Sequence, residues 1–560
     1  MDTKELQVEK ERRKADKLFN FRPVFFFAVF LCLGITFAYL HLLLKASALW
    51  LLLWLPVIGI PLCFCRSARQ IYTTLLAMGM LVVSFAIGVV GFGVQIDNFQ
   101  SVTPYEGKTY VVGTAVSTSE NGQICVGVFD EIYIDGKETD GRLIAYMPAS
   151  YFEKIAVADR VLMYGTIGTD TDCFGTFGFR ASEIDEGLHY VMSVDEDISI
   201  VGETSNIFLL AQQVMKETAY ASMDKTSAAV TIAILTGDRT GIEKGLYDNI
   251  KLGGIAHIFA VSGLHVGSMF GFCLLILERK RRKKIPKIIR FFTTAILLTF
   301  YAGICGFSPS VMRATVICLI GYAARLTRLT TDFLQSIGAA AIVVLCISPV
   351  TLMEVGFQLS FLACLGLALL TRPLRLLMER LCCAIRNLFP KRLTRAQLIA
   401  MKNDDTLPPS VGERIRRKII SFLAASLAAQ IFTSPVLLDT YGYLSGWSLL
   451  LNCIFVPLIS AGFSALLLLV FLVCLLPQGA ATFLMYIPNV IMHLLLLVFE
   501  VADFSTFALT GIKLSGGAYV SYYGGCICMS DKLNLSKLQK RIGISLCFLV
   551  FGITVVALNV

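Results

Sequence analysis

The residues with the most chemistry in this sequence lie between positions 235 and 267, in the segment LTGDRTGIEKGLYDNIKLGGIAHIFAVSGLHVG. Charged and imidazole side chains stand here among glycines and apolar residues. Ionisable groups beside long apolar segments are costly and usually face a water-filled cavity or a partner group. The segment therefore predicts a polar path through the protein, with a salt-bridged loop that caps the helices as the alternative. The candidate residues are Asp238, Arg239, Lys244, Lys251, His257, Ser262 and His265.

Ser262 and His265 stand three residues apart, a spacing at which a helix brings two side chains together. A serine nucleophile needs a base within hydrogen-bond reach and a third group that orients the base. The pair therefore raises the hypothesis of an intramembrane hydrolase, with His265 or His257 as the base. Small residues surround Ser262, however, and such residues are typical of close helix packing in membranes. The packing interpretation is favoured, and no catalytic residue is predicted.

Two further polar insertions interrupt apolar stretches. The segment SPSVMRA (308–314) puts Arg313 near the start of one stretch, and EVGFQLSF (354–361) puts Gln358 inside another. Each side chain is predicted either to line the polar path or to make a contact within a bundle of helices. The residues by themselves leave both interpretations open.

Metal and nucleotide sites are not predicted. The five histidines are scattered, and no cluster of cysteine and histidine has the spacing of a zinc site. Gly107-Lys108-Thr109 ends like a phosphate-binding loop, but Val102 stands where that motif requires glycine. We therefore expect no metal, no cofactor and no ATP-driven motor on this chain.

The composition indicates which elements must position these residues. Of 560 residues, 56% are hydrophobic and 16% charged, and the mean hydropathy is +0.71, whereas a soluble domain has about 25% charged residues. Apolar runs long enough to cross roughly 30 Å of hydrocarbon recur along the chain. This excludes a soluble enzyme, a disordered chain and a small disulfide scaffold. We expect a polytopic α-helical membrane protein of about twelve spans.

Positive charge divides the chain between the two sides of the membrane. The segments 1–22, 279–290 and 372–418 hold 27 of the 49 lysine and arginine residues. Because basic loops next to spans usually stay cytoplasmic, we expect a cytoplasmic N-terminus. The predicted parts are a basic tail (1–22), three transmembrane helices (23–96), an extracytoplasmic β domain (97–205), an amphipathic helix (206–226), a main membrane domain (227–504), a polar connector (505–541) and a last transmembrane helix (542–560).

Three segments inside these parts have their own predictions. The second of the N-terminal spans is expected at 46–64. The main membrane domain is expected to begin with a re-entrant or interfacial segment at 227–254, because glycines and charges interrupt it and its backbone then needs cover from protein or water. A span is predicted at 255–277, and the apolar block 445–479 is predicted as one span or two.

Residues 97–205 alternate between apolar and polar side chains with the period of a β-strand. Five such runs, separated by turn signals, predict a small barrel such as an OB-fold after the third span. Cys125 and Cys173 lie in this region and could form a disulfide if it is extracytoplasmic. The region holds 19 acidic and six basic residues, whereas a nucleic-acid-binding domain normally has a basic face. A scaffold at the mouth of the path is therefore favoured over tight nucleic-acid binding.

Four blocks of sequence resemble the ComEC family, the membrane channel of bacterial natural competence. They stand in the family's order: residues 235–267, FSPSVMRATV (307–316), SPVTLMEVGFQLSFLA (348–363) and SPVLLDTYGYLSGWSLLLNCIFVPLI (434–459). The N-terminal spans and β domain are similar to the family's usual OB-containing region. Many members also carry a C-terminal metallo-β-lactamase-like domain. Its HxHxDH-type metal motif does not occur in this sequence, so we expect a short member without nuclease activity, and no enzyme.

The resemblance implies a channel in the bacterial inner (cytoplasmic) membrane that passes single-stranded DNA into the cytoplasm during natural transformation. Since no motor is predicted on this chain, the implied partners are a cytoplasmic ATP-driven translocase, a DNA receptor on the outer side and a separate nuclease. A secondary transporter of a small solute is the alternative, because broken spans with polar residues also fit that class.

Overall fold

The computed structural model describes residues 22–44, 68–121, 124–151, 154–175, 178–259, 261–278, 285–329, 332–388, 411–501, 504, 508–533 and 535–559. The basic tail up to residue 21 and the predicted second span at 46–64 lie outside the described residues. The same is true of the central parts of the two basic loops, at 279–284 and 389–410.

Helices make up most of the described chain. In order they are α1 (Pro23–Leu44), α2 (Ala68–Gln100), α3 (Ala181–Glu186), α4 (Ile207–Ser222), α5 (Lys225–Thr236), α6 (Lys244–Leu252), α7 (Ala256–Phe259), α8 (Gly263–Leu277), α9 (Lys287–Ile304), α10 (Pro309–Thr327), α11 (Phe333–Ile347), α12 (Val355–Leu388), α13 (Val411–Tyr441), α14 (Ser448–Val473), α15 (Gln478–Val501), α16 (Gly516–Met529) and α17 (Lys537–Asn559).

Within the described ranges, nine of these helices are long and apolar enough to cross a membrane, namely α1, α2, α9, α10, α12, α13, α14, α15 and α17. Three shorter apolar helices, α5, α8 and α11, accompany them. The prediction of a mostly helical, multi-pass membrane protein is therefore confirmed, whereas the figure of about twelve spans stays a prediction. The block at 445–479 contains one long helix, α14, which continues through Pro457. A further helix, α16, lies in the segment predicted to be a polar connector.

The segment 255–277, predicted as one of the spans, is not one continuous helix. The chain forms the short helix α7, leaves helical geometry, and begins α8 only at Gly263. Ser262 has the extended backbone of a helix N-cap, and Gly254 just before α7 has a φ of +76°, which suits glycine. Apolar composition predicted a helix here, but composition does not reveal that Ser262 ends one helix and starts another.

Helices α4 and α5 form a hairpin that passes into the bundle and returns. Phe208 at the start of α4 packs on Phe307, just after the end of α9. Near the other end of α4, the Thr218 hydroxyl lies 3.1 Å from the sulfur of Cys474, at the end of α14. The Asp224 side chain then caps α5, whose residues 227–236 are all buried. The predicted amphipathic helix and the first part of the predicted re-entrant segment correspond to this hairpin.

The β domain is a barrel-like sheet whose strands match the five alternating runs. Strands β1 (Glu106–Asn121), β2 (Ile124–Ile134), β3 (Lys137–Glu138), β4 (Arg142–Pro148), β5 (Asp159–Thr169) and β8 (Leu188–Glu203) form it, and β6 (Phe174–Gly175) pairs with β7 (Gly178–Phe179). The strand order is β1-β5-β8-β4-β2-β3, and β1 also pairs with β2, which closes the sheet on itself. Among the strand pairs of the described residues, only β4 and β8 run parallel. Alternate residues such as Val161 and Met163 of β5 are buried, so one face of each strand supplies the core.

The two cysteines of the β domain lie in different cores. Cys125 on β2 is buried inside the barrel. Cys173 packs instead in the cluster that joins the domain to α1, α2 and α11, where its thiol accepts a hydrogen bond from Gln100 Nε2 at 3.4 Å. Cys173 is a free thiol, so the predicted bridge between the two is not formed in this structure.

Candidate functional site

The break between α7 and α8 brings Ser262 and His265 together. The Ser262 backbone N–H donates to His265 Nδ1 at 3.0 Å, and the Ser262 hydroxyl lies 3.3 Å from the same nitrogen. His265 is fully buried against the ring of Phe463, and its Nε2 has no hydrogen-bond partner among the described residues. The imidazole thus accepts from the backbone, and no third group orients it as a base. This geometry supports a helix cap rather than a nucleophile.

Arg313, in the second turn of α10, crosses from that helix to α12. Its Nη1 donates to the carbonyl oxygen of Ser360 and lies 3.2 Å from the sulfur of Cys364. The guanidinium carbon stands 5.7 Å from the centre of the Phe361 ring. The side chain is 7% exposed, and none of the ion pairs within the described ranges involves it. Arg313 is therefore a buried cation held by neutral groups.

Gly263, the first residue of α8, makes room for that cation. A Cβ atom at this position would lie 2.7 Å from Arg313 Nη2 and 3.3 Å from the Cβ of Ala314, so any larger residue must displace the guanidinium. The Arg313 charge therefore lies against the N-terminus of α8, where helix dipoles and free N–H groups also favour an anion. The arrangement has the electrostatics of an anion site, built from a charged side chain and a helix end.

A second cluster forms around the ring of Tyr247 on α6. Arg239 Nη1 donates to the Tyr247 hydroxyl at 2.5 Å, and Lys251 Nζ lies 4.4 Å from the centre of the ring. Lys251 also pairs with Asp248 at 3.1 Å. Lys244, at the start of the same helix, is exposed to solvent. Asp248 offsets the charge of Lys251, so Arg239 and the ring of Tyr247 are the parts of this cluster that suit a phosphate and a stacked base.

Asp238 plays a different part from its neighbours. Its Oδ2 accepts from Lys216 Nζ of α4 at 3.1 Å, and its Oδ1 accepts from the N–H and hydroxyl of Thr240. Burial would raise the pKa of Asp238, but Lys216 and Thr240 outweigh that effect and hold the pKa below its ordinary value. The carboxylate therefore ties the loop after α5 to the helical hairpin.

Gln358 and His257 complete the predicted set. Gln358 Nε2 donates to the carbonyl oxygen of Leu352 at 3.2 Å, so it caps the turn before α12 rather than meeting the other candidates. His257 lies on the short helix α7, five residues before Ser262, and is exposed.

Sequence reasoning missed several residues that build the site. Gly263 and Tyr247 lie inside the segment 235–267, but neither was predicted as a site residue, because glycine and tyrosine carry no charge. Ser310 also escaped notice, although its hydroxyl donates to the carbonyl oxygen of Val261 at 2.8 Å and so fixes the break against α10. The signal available was position: each of the three stands within four residues of a predicted candidate in the same sequence block.

Fold and site together define a multi-pass membrane protein with an N-terminal barrel-like domain and a polar site at a broken helix. The chain belongs to the Competence protein family, whose sequence model matches residues 234–530, more than half of the chain. This confirms the resemblance on which the ComEC family was inferred.

One curated relative is ComE operon protein 3 of Bacillus subtilis (strain 168), which is 31% identical over 145 residues. That match covers 26% of this chain and 18% of the relative. No solved structure matches the chain.

Proposed function

We propose that this chain is a membrane channel that passes single-stranded DNA into the cytoplasm during DNA uptake in natural competence. Membership of the Competence protein family supports the process. The observation that supports passage of DNA is the buried guanidinium of Arg313. It extends from α10 to the N-terminus of α8 and has no carboxylate partner in the described part of the chain. Because Gly263 has no side chain, the guanidinium of Arg313 can lie against the N-terminus of α8.

The physical case starts from the cost of moving phosphates. An unpaired ion in a dry apolar interior costs tens of kcal/mol by Born reasoning, so a strand that crosses the membrane needs water and hydrogen-bond donors along its path. A cation already neutralised by a carboxylate would offer little to an incoming phosphate. Arg313 bonds instead to a carbonyl oxygen and lies near a thiol, so its charge stays available to an anion.

The cluster around Tyr247 supplies an earlier contact on the same path. Arg239, which is in none of the ion pairs of the described residues, would meet the phosphates, and the ring of Tyr247 beside it offers a face for a base. Lys251 is already held by Asp248 and would contribute less. His257, which is exposed on α7 five residues before Ser262, is proposed as the next contact of the strand before Arg313. Lys244 belongs to the outer contact, whereas Asp238 and Gln358 hold the surrounding loops and are not proposed to touch the strand.

The β domain is proposed as a scaffold at the mouth of the channel. Its closed strand order with a parallel β4–β8 pair supports an OB-like assignment. Its excess of acidic residues disfavours phosphate, because DNA affinity depends mainly on neutralising phosphates. The domain would then shape the opening and repel strands from its own surface.

Direction requires work from outside this chain. A membrane potential that is negative inside opposes an incoming anion by about 2.3 kcal/mol per charge per 100 mV. We therefore propose a cytoplasmic ATP-driven translocase as a partner, together with a DNA receptor on the outer side and a separate nuclease that prepares the single strand. The proposed location is the bacterial inner membrane, with a cytoplasmic N-terminus and about twelve spans.

The proposal is tested with a strain that lacks this gene. The strain receives labelled double-stranded DNA, and surface-bound and cytosolic label are counted separately. We expect surface binding to persist, cytosolic single strands to vanish, and the intact gene to restore them. Unchanged cytosolic label would contradict the channel.

The same result would favour the second candidate, a secondary transporter of a small solute. The break in the helix at Ser262 is the observation that fits this class, together with the Arg313 guanidinium that reaches the start of α8 from α10. Uptake of the solute, measured in the same two strains, would then differ while DNA uptake would not.

A further inference from the structure

Helix α9 begins with a buried arginine. Arg290, the fourth residue of the helix, is 9% exposed, and its Nε is enclosed without a hydrogen-bond partner in the described part of the chain. None of the ion pairs among the described residues includes it. The residues just before the helix that lie outside the described ranges, 279–284, are all lysine or arginine, so they hold no carboxylate. A buried charge is costly unless it is compensated, so an anion would be stabilised here.

A second unpaired polar group lies beside the start of α9. Tyr322 of α10 is fully buried, and its hydroxyl has no partner among the described residues. Its ring centre lies 6.2 Å from that of Phe291 on α9 and 5.7 Å from that of Phe270 on α8. The Lys287 ammonium of α9 donates to the carbonyl oxygen of Leu326 of α10 at 2.9 Å. The first turn of α9 therefore lies against the last turns of α10, with aromatic rings around the contact.

The charge around this turn is strongly positive. The segment 279–290 holds eight lysine and arginine residues and no aspartate or glutamate. The nearest carboxylate before it in the sequence, Glu278, pairs with Arg325. The nearest one after it, Asp332, pairs with Arg22. The free N–H groups and the dipole at the start of α9 add to the positive potential. An anion that binds here would therefore meet cations and donors, while both of these carboxylates are already neutralised.

The outer face of the same helix shows what surrounds this turn. Ile288, Phe292 and Ile296 are each more than half exposed, and α9 is long and apolar enough to cross a membrane. The basic loop before α9 is expected on the cytoplasmic side, so Arg290 lies near the level of the lipid headgroups. Basic pockets between transmembrane helices on that side bind acidic lipid headgroups. A headgroup at Arg290 could keep its acyl chains along the apolar face.

We propose that Arg290, together with the hydroxyl of Tyr322, binds the phosphate of an anionic phospholipid from the cytoplasmic leaflet. A guanidinium can donate to two phosphate oxygens at once, and the hydroxyl supplies a further donor. A DNA strand fits less well, because strands bind in open basic grooves with stacking platforms, whereas Arg290 is enclosed between helices beside an apolar face. The lipid site does not depend on what the channel conducts.

The test measures lipid binding by the purified full chain. The chain is kept in an uncharged detergent at about 0.5 M salt, which screens exposed charges much more than buried ones. Fluorescent phosphatidylglycerol is titrated into it, and phosphatidylcholine with the same acyl chains serves as the neutral lipid. We expect phosphatidylglycerol to bind at least about tenfold more tightly, because only its headgroup has a net charge for the guanidinium. Equal affinity for the two lipids would overturn the proposal.

Two variants locate the binding to Arg290. Arg290→Gln removes the charge and keeps a side chain of similar length, so we expect the affinity for phosphatidylglycerol to fall by about tenfold or more. Arg328→Gln is the matched control, because Arg328 is an exposed cation just after α10. It should stay within about twofold of the wild type, since exposed charges contribute little at this salt concentration. Wild-type affinity in Arg290→Gln would contradict the site.

Tyr322→Phe guards against a folding defect in the arginine variant. It keeps the ring packing and loses only the hydroxyl, so the affinity for phosphatidylglycerol should fall by about two- to tenfold. If Arg290→Gln does not fold, unchanged affinity in Tyr322→Phe overturns the proposal by itself.

Two competitors identify the source of the phosphate. Millimolar inorganic phosphate and a single-stranded oligonucleotide are added separately to the complex with labelled lipid. We expect neither to displace the lipid, because its acyl chains also bind along α9. Displacement by inorganic phosphate would overturn the lipid in favour of a free anion, and displacement by the oligonucleotide would overturn it in favour of the DNA strand. The lipid titrations contain no DNA, so a failure of the proposed channel function would not affect them.

Discussion

The barrel and the broken-helix region use polar residues in opposite ways. In the barrel, several charged side chains lie at the surface and pair with opposite charges, as Lys108 does with Asp195 and Arg142 with Asp130. At the break, Arg313 is buried and bonds only to neutral groups. A paired surface charge contributes about 0–1 kcal/mol, whereas a buried charge is costly unless it is compensated. The paired charges of the barrel are therefore those of a solvated surface, whereas the unpaired charge at the break is the one that we propose to meet an anion.

The largest effect is expected when the hydrogen of Gly263 is replaced by a methyl group. Gly263→Ala places a Cβ 2.7 Å from Arg313 Nη2 and so moves the guanidinium without altering any charge. A hydrogen bond to a charged group contributes about 1.5–3 kcal/mol, so a guanidinium moved away from the phosphate should lower cytosolic DNA by about 10- to 100-fold. Gly267→Ala is the control, since nothing lies near its new methyl group. Equal uptake in both variants would mean that the position of Arg313 is unimportant.

The barrel should respond to a change of core volume rather than of charge. Phe129 of β2 is fully buried, and its ring lies over Gly113 and Gly127, whose missing side chains make room for it. Phe129→Ala should weaken the domain by about 3–5 kcal/mol through the cavity that it leaves. Hydrogen exchange of the barrel strands in the full chain measures this loss. Unchanged protection would show that the ring does not stabilise the domain.

The cluster around Tyr247 should give a smaller effect. Tyr247→Ala removes the ring that Arg239 and Lys251 approach, an interaction of roughly 0.5–2 kcal/mol. We expect uptake at limiting DNA to fall by about 3- to 10-fold. Tyr247→Phe keeps the ring and loses only the hydroxyl, so it should retain most of the activity. If the phenylalanine variant falls as far as alanine, the hydrogen bond to Arg239 matters more than the ring.

The same contrast explains which parts of the structure sequence reasoning could reach. Period-two alternation predicted all five long strands, because one face of each must be buried. It could not predict that Cys125 and Cys173 would face different cores, since that depends on how the domain docks. Apolar length likewise predicted the long helices but not the break at Ser262. Caps and glycine contacts are decided by single residues within a stretch that reads as uniformly apolar.

The site shows the same division. Charge inside an apolar stretch predicted Arg313 as a polar insertion, but left open whether it lines a path or makes a contact. The structure shows which groups surround the Arg313 side chain. Among the described residues they include Ser360, Phe361 and Gly263, and none of the ion pairs there joins it to a carboxylate. Asp238 was predicted on the same grounds, yet it is bound to Lys216. The sequence predicted which charged residues matter. Only the folded structure shows their partners, and the partners distinguish the role of Arg313 from that of Asp238.

The central claim is that the buried charge of Arg313 carries DNA phosphate, and one assay addresses it directly. Arg313→Glu and Arg313→Lys are expressed in the strain without the gene, their amounts in the membrane are matched, and cytosolic single-stranded label is counted against surface label. A hydrogen bond between charged groups contributes about 1.5–3 kcal/mol, and Arg313→Glu replaces that attraction to phosphate by repulsion, so we expect it to import roughly one hundredth of the wild-type amount or less, with surface label unchanged. Arg313→Lys keeps the charge but loses the forked geometry and should fall between the two. Wild-type import by Arg313→Glu would contradict the account.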